Sequence, residues 1–520
     1  MPTLFSLVDL AKNPFEHYVA ETEPDIAAYA VKPPYFEAID ARAKNTSSYI
    51  LFGDRGAGKS ATRLTVFKEL WARKEKGESV PLAVNFIDFS VALSGKKIVA
   101  ASEDILIREV AFVVIESLLV WLSSLEDDDR NTYQQSMNDD ELNLCYELLR
   151  DHYLSRPNGK REKSSREAME LFNQAFVSKS KLWVEQRWSG VTSILTKTLQ
   201  AIIENRTGIK ADVSGDMKDV LKIEASTDFD SVLLLRKLID LARVFGFNGI
   251  VLLIDKVDET EATTNSANQT ADLIYPLLAK VQLFEINGFS WIFFLWSRIK
   301  GLFEAEQYAV RLDKIGHATV TWEDGFFIQM LNRRMEFYSN KKTTFDGLFT
   351  PETNMQKVYA ELITVSMRSP RELVRLVDVI IREHDIRHST STDAALLDST
   401  SMQAGLDKYV TDTVSVVYGE RLLAQIFRLN RTMFTNKDVQ ATFKVGPQSA
   451  RTRIQSWENA GIIKFVGTRA AEGAQGGKPA HEYAIADARI ERVMQLQLVS
   501  YHDAVEAEID YDLEEPAPHE

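Results

Sequence analysis

Residues Tyr49–Arg63 read YILFGDRGAGKSATR, and this stretch decides the fold class. Gly53, Gly58, Lys59 and Ser60 satisfy the spacing G-x-x-x-x-G-K-[ST]. Glycines at these places let successive backbone N–H groups turn inward on an anion. Lys59 adds a point charge at the β/γ-phosphate positions, and Ser60 offers a hydroxyl to Mg²⁺. The loop Gly53, Asp54, Arg55, Gly56, Ala57, Gly58, Lys59, Ser60 and Ala61 is therefore expected to hold ATP. The same letters also arise by chance in a glycine turn, so the flanks decide. Ser48–Phe52 (SYILF) reads as a buried strand, and Ala61–Arg73 (ATRLTVFKELWAR) repeats apolar residues at helical spacing. A glycine loop between strand and helix aims the helix N-terminus at the phosphate. The expected architecture is α/β, a P-loop NTPase core of parallel strands with flanking helices.

Such a site needs a second, acidic element. The segment GIVLLIDKVDET (Gly249–Thr260) supplies a continuous apolar strand, Gly249–Ile254, that ends in Asp255. A buried parallel strand delivering a carboxylate at its C-terminal end suits the Mg²⁺ shell, shared with Ser60. Asp258 or Glu259 would polarise the attacking water, with Glu259 preferred; the plain alternative is a solvated loop acid. A further strand, Trp291–Trp296 (WIFFLW), runs into Ser297 and Arg298. Arg298 would neutralise charge on the terminal phosphate, or be an exposed loop arginine. Downstream, Ser369 and Pro370 open a helix as N-cap and first helical residue. Arg371 then falls in its first turn, where it would reach the phosphates from a lid or pair with a neighbouring carboxylate.

The 520 residues leave room for two to four domains, and 45% apolar with 26% charged residues is ordinary globular composition. No apolar run reaches the roughly 18 residues of a membrane span, and no signal peptide is evident, so no membrane role and a cytoplasmic location are expected. The single cysteine, Cys145, excludes an intrachain disulfide and a cysteine-cluster metal site. The net charge of −14 argues against a polyanion partner only until its distribution is considered. Asp503–Glu520 holds eight acidic residues and no Lys or Arg, whereas Gly419–Arg492 holds twelve Lys/Arg against seven Asp/Glu. Local charge steers a polyanion more than the sum does.

Along the chain, residues 1–44 read as a lead-in segment and 45–318 as the core. A helical insertion at about 100–225 lies between strand Pro81–Ser90 and the acidic strand. Its helices are expected at Glu103–Leu125, Asp140–Leu154, Ser165–Phe176 and Val191–Glu204, with the charged SRPNGKREKSSRE between two of them an exposed loop. Residues 319–400 form an α-helical lid, in which His388–Ser401 (HSTSTDAALLDSTS) is a hinge or linker. Residues 415–495 read helix, helix, helix and β-hairpin, a winged helix, and 503–520 an acidic tail. Gln448, Arg451, Thr452 and Arg453 fall early on the third helix, the part that enters a major groove in such folds. Arg469 and Lys478 on the wing would meet backbone phosphate. The competing reading is that this module packs on protein instead of double-stranded DNA.

Taken together, GDRGAGKS, LLIDKVDE, the strand ending in Ser297-Arg298 and the lid with SPRE resemble the AAA+ and STAND group of P-loop ATPases. The lid followed by a winged helix looks equally like origin-recognition-type ATPases. The opening NPFEHYVAETEPDIAAYAVKPPYFEAID with the P-loop is similar to bacterial P-loop ATPases found among anti-phage defence genes. The resemblance implies an ATPase whose nucleotide state switches DNA binding or assembly, with a homo-oligomer or effector protein as further partner. A STAND-type regulator and an origin-type DNA loader are the rivals. Lys256 stands where many AAA+ proteins carry a catalytic Glu, a departure that leaves slow or partner-dependent hydrolysis open.

Overall fold

A computed structural model describes residues 3–175, 229–469 and 479–499, apart from positions 9, 11, 24, 100, 265, 306, 307 and 392, together with Glu204. It divides into two compact units, Val19–Trp322 and Met1–Tyr18 with Glu323–Glu520. The expected helix Val191–Glu204, Lys478 and the acidic tail lie outside the described residues, Glu204 excepted.

The unit Val19–Trp322 is built on five parallel strands: β1 (Tyr49–Gly53), β2 (Leu82–Phe86), β3 (Ile250–Ile254), β4 (Phe289–Trp296) and β5 (Gly316–Thr319). Their order across the sheet is β2-β3-β4-β1-β5. Every residue of β1, β3 and β4 is buried, which is why these strands read as unbroken apolar runs. β5 alternates partly buried and exposed residues over four positions, and its pattern is too short to register as a strand in the sequence. Helix α1 (Pro34–Lys44) is tied to α2 (Lys59–Glu75) by the paired bonds of Arg73 to Asp40, 3.0 and 2.9 Å.

The insertion is led by α3 (Glu103–Ser124), capped by Ser102 and apolar nearly all round. α4 (Asp127–Ser136) and α5 (Asp139–Leu148) follow, and α5 widens into a π-helical stretch at Leu149–Leu154. Of the charged segment expected as an exposed loop, only Ser155–Pro157 lies outside a helix; the rest is helical, because α6 spans Asn158–Ala175. The reason lies in α3, which buries two carboxylates. Glu109 takes Lys160 at 2.6 Å and Arg156 at 3.0 Å, and Glu116 accepts hydrogen bonds from Ser164 and Ser165. Buried acidic groups, charged like Glu109 or protonated like Glu116, need such partners, so this basic, serine-rich stretch is recruited to packing. α7 (Ser231–Val244) then feeds β3, and α8 (Ala267–Leu278) lies between β3 and β4.

In the other unit, α9 (Asp324–Tyr338), α10 (Met355–Val365), α11 (Pro370–Arg387) and α12 (Ser399–Tyr418) are gathered with residues 3–18. Asn13 donates to Asp378 at 2.7 Å, and the Leu4 N–H to Asp385 at 3.0 Å. α11 and α12 approach so closely at Gly405 that a Cβ there would lie 2.6 Å from the Ile380 Cα. The stretch expected as a hinge is pinned. Leu397 N–H donates to Leu348 O and Thr350 N–H to Leu397 O, each at 2.9 Å, while His384 contacts Ala395 O at 2.8 Å and Ser401 Oγ at 3.0 Å. Next come α13 (Glu420–Leu429), β6 (Met433–Thr435), α14 (Asn436–Phe443), α15 (Pro447–Asn459), β7 (Ile463–Arg469), β8 (Ala480–Ile485) and α16 (Ala488–Leu496). β8 is the antiparallel centre of a three-stranded sheet, β6-β8-β7. This C-terminal part is fastened to α12 by Tyr418, whose hydroxyl donates to the buried Asp487 at 2.6 Å, and by Arg492 to Asp407 at 2.6 Å.

Candidate functional site

The chain leaves β1 at Gly53, turns through Gly56 (φ +78°) and Gly58 (φ +91°), and enters α2 at Lys59. Those left-handed conformations are why glycine stands at both places. The Lys59 ammonium is buried and donates to Gly53 O at 2.8 Å and Asp54 O at 3.1 Å. Burial pulls its pKa below the usual lysine value, and the carboxylates of Asp258, Asp255, Asp54 and Glu259 oppose that shift.

Parallel register brings the acidic strand to the same edge, since β3 ends at Ile254 opposite Phe86 and Phe293. Asp255 follows and is buried, with its Oδ2 2.7 Å from Ser60 Oγ. A hydroxyl at the start of α2 and a carboxylate at the end of β3 thus converge on one point. Hard oxygen ligands of this kind suit Mg²⁺, which is typically bound by one or two protein groups plus phosphates and water. Among the described residues no cluster of three or more His, Cys, Asp or Glu side chains forms a separate metal site.

The other predicted residues fall into distinct places. Asp258 is buried and accepts the Arg55 Nε at 3.0 Å, while Arg55 Nη2 donates to Asp258 O at 2.7 Å and to Thr264 O. Its carboxylate is therefore engaged in holding the glycine loop. Glu259 is exposed at the surface, yet the protein around it raises its pKa and the neighbouring Asp255 raises it further, against the pull of Lys256. Ser297 donates to Asp54 of the loop. Arg298 is exposed and lies over the Trp296 ring at 5.1 Å, with the Arg55 guanidinium 4.6 Å from the same ring.

Arg371 belongs to the other unit, in the first turn of α11 behind the Ser369 cap. On α15, Ala450, Ile454 and Trp457 are buried, while Gln448, Arg451 and Thr452 are exposed. Arg453 instead turns against the Phe443 ring, 4.8 Å away. Arg469 ends β7, 4.0 Å from Glu482.

Three contributors to the P-loop unit escaped the sequence reading. Arg63 is fully buried and donates from Nε to Asp255 Oδ2 at 3.0 Å. Glu21, on a one-turn helix at Ala20–Thr22, accepts from Arg63 at 2.9 Å. Trp322 donates from its indole to Ala57 O at 2.9 Å, bracing the loop from beyond β5. For Arg63 a signal existed, a charged residue one turn after Ser60 on a helix face that must be buried; for Glu21 and Trp322 there was none.

Strand, glycine loop, helix and parallel acidic strand make Val19–Trp322 a P-loop NTPase α/β core. A scan against protein-family models and a search of curated proteins give no match. Ten solved chains match. One is the ORC1 protein of Aeropyrum pernix in complex with DNA, at 12% identity over 94% of this chain and 98% of that one, TM-score 0.38. Another is the ORC2 protein of the same organism in its ADPNP–ADP complexes, at 9% identity over 92% and 98%, TM-score 0.40. No helix among the described residues is long and apolar enough to cross a membrane.

Proposed function

We propose that the chain is an ATP- and Mg²⁺-binding switch of the AAA+/STAND kind, hydrolysing ATP slowly or with a partner, whose nucleotide state governs DNA binding or assembly. The observation that carries the nucleotide reading is the 2.7 Å contact of Ser60 Oγ and Asp255 Oδ2 beside the buried Lys59. In this reading the loop amides and Lys59 bind the β- and γ-phosphates, and Ser60 and Asp255 hold the cation, which supplies charge neutralisation. Glu259, with its raised pKa, accepts the proton of the attacking water, and Arg298 and Arg371 read the terminal phosphate. Lys59→Ala is expected to abolish ATP binding, and retained ATP turnover in that variant refutes the site.

The C-terminal helices and three-stranded sheet are read as a winged helix that contacts duplex DNA. The exposed Gln448, Arg451 and Thr452 on one face of α15 support this. Binding is expected to fall steeply with salt and to weaken on Arg451→Ala, much less on Arg453→Ala. A second reading, a protein interface in a STAND-type regulator, draws on the exposed apolar residues Met433, Phe465 and Val466 of the sheet. ATP-driven assembly without DNA affinity at low salt would favour it over both the DNA switch and an origin-type loader. A role in anti-phage defence rests on the sequence resemblance alone.

A further inference from the structure

We propose that the N-terminal turn Ala20–Thr22 is a working part of the nucleotide site, with Glu21 acting through Arg63 as a positioning residue that sets how Asp255 meets a metal-bound nucleotide. This rests on the nucleotide reading above and extends it to a segment outside the P-loop and the acidic strand.

Arg63 lies one helical turn beyond Ser60, so both side chains leave α2 on the same face. Its guanidinium is fully buried and its three donating nitrogens go to three different elements. Nε donates to Asp255 Oδ2 at 3.0 Å, Nη1 to Asn85 Oδ1 at 2.6 Å on β2, and Nη2 to Glu21 Oε1 at 2.9 Å. Glu21 Oε1 also takes the Lys256 ammonium at 3.0 Å. The Lys256 backbone N–H in turn caps Asp255 Oδ1 at 2.9 Å, from a left-handed conformation of φ +63°. A non-glycine residue there is uncommon and needs surroundings that hold it.

The result is a closed, charge-balanced ring of Asp255, Arg63, Glu21 and Lys256. Balance matters because an unpaired buried charge is expensive. Asp255 Oδ2 is the same oxygen that touches Ser60, so Arg63 and a cation compete for its charge. Glu21 resolves that competition by drawing off part of the guanidinium's charge, which leaves Asp255 anionic enough to serve Mg²⁺. Lys256, standing beside Asp255 where an acid was expected, is the counterweight that keeps Glu21 in place.

Glu21→Gln keeps the shape and removes the charge. Its effect is read by calorimetric titration of the full chain with ATP, once in Mg²⁺ and once in EDTA. The expected result is about a tenfold loss of affinity in Mg²⁺, in line with outer-shell substitutions at metal sites, and unchanged affinity in EDTA. Glu21→Asp is expected to recover most of the Mg²⁺-dependent gain. Arg63→Lys, which keeps the charge but cannot reach three partners, should resemble Glu21→Gln. An equal loss in both buffers would mark a purely structural role and overturn the proposal, as would no loss in either. A wild-type chain that binds ATP in neither buffer would refute the nucleotide reading itself.

Discussion

Replacing Glu116 by glutamine removes one buried ionisable group from the apolar helix α3 while keeping its size. The carboxyl is 2% exposed, and burial pushes its pKa from 4.5 up to about 8, against the hydrogen bonds from Ser164 and Ser165 and aided by Glu109 and Glu167. The native chain therefore keeps this proton between those two values, whereas the unfolded chain releases it above pH 4.5. Protons bound in excess by the native state mean stability that falls as pH rises. The stability is fully present below pH 4.5, falls progressively above it, and is lost once pH has risen through about 8. Some 3.5 pH units at 1.36 kcal/mol each give about 5 kcal/mol lost by pH 9. For a unit of this size that corresponds to a melting shift on the order of 10 °C. Thermal melts of wild type and Glu116→Gln from pH 5 to 9 are the assay. The two should melt nearly together at pH 5, and the variant should gain steadily on the wild type up to about pH 8 and then level off. A difference in Tm that does not change with pH would refute the reasoning, because it would show that Glu116 does not keep its proton in the fold.

Two further perturbations bear on the core and the helical unit. If Glu259 accepts the water proton, the acid limb of the ATPase pH profile lies above the ordinary glutamate value, since a raised pKa keeps the base protonated further up the scale; Glu259→Gln should remove that limb and lower turnover by about 10² or more, measured as initial rates from pH 5 to 9, and unchanged turnover would dismiss Glu259 as the base. Gly405→Ala places a Cβ 2.6 Å from the Ile380 Cα, where the helix backbone cannot yield cheaply, so a loss of about 1–3 kcal/mol is expected in denaturant titration.

The nucleotide loop was legible because its two requirements are local: an unbroken apolar run for a buried strand, and glycines where the backbone must take positive φ. The same locality explains β3 and β4, whose polar ends Asp255 and Ser297 stand out against apolar runs. β5 was not legible, since four residues of mixed exposure carry no period. The stretch from Asn158 to Glu167 reads as a loop in the sequence because charge density usually marks solvent, yet it is helical. Its true signal sits about fifty residues earlier, in Glu109 and Glu116 on a helix otherwise apolar, which have to find partners somewhere. Glu21, Arg63 and Asp255 lie far apart in the chain and meet only through tertiary packing. No spacing rule links an N-terminal turn to the end of a strand more than two hundred residues on.

The discontinuity of the helical unit has a consequence for biosynthesis. Residues 3–18 pack with the segment beginning at Glu323, so the whole of Val19–Trp322 separates them. At translation rates of about 5–20 residues per second, roughly 300 residues take some 15–60 s to emerge. The sheet and its glycine loop can fold during that interval, since every strand of theirs has left the ribosome. Phe15, completely buried once folded, lacks its ring contact with Phe345 and the Arg334 guanidinium of α9 until those residues appear. Residues 3–18 thus stay without their folded partners throughout that interval, and assembly of the second unit waits on the segment that begins at Glu323.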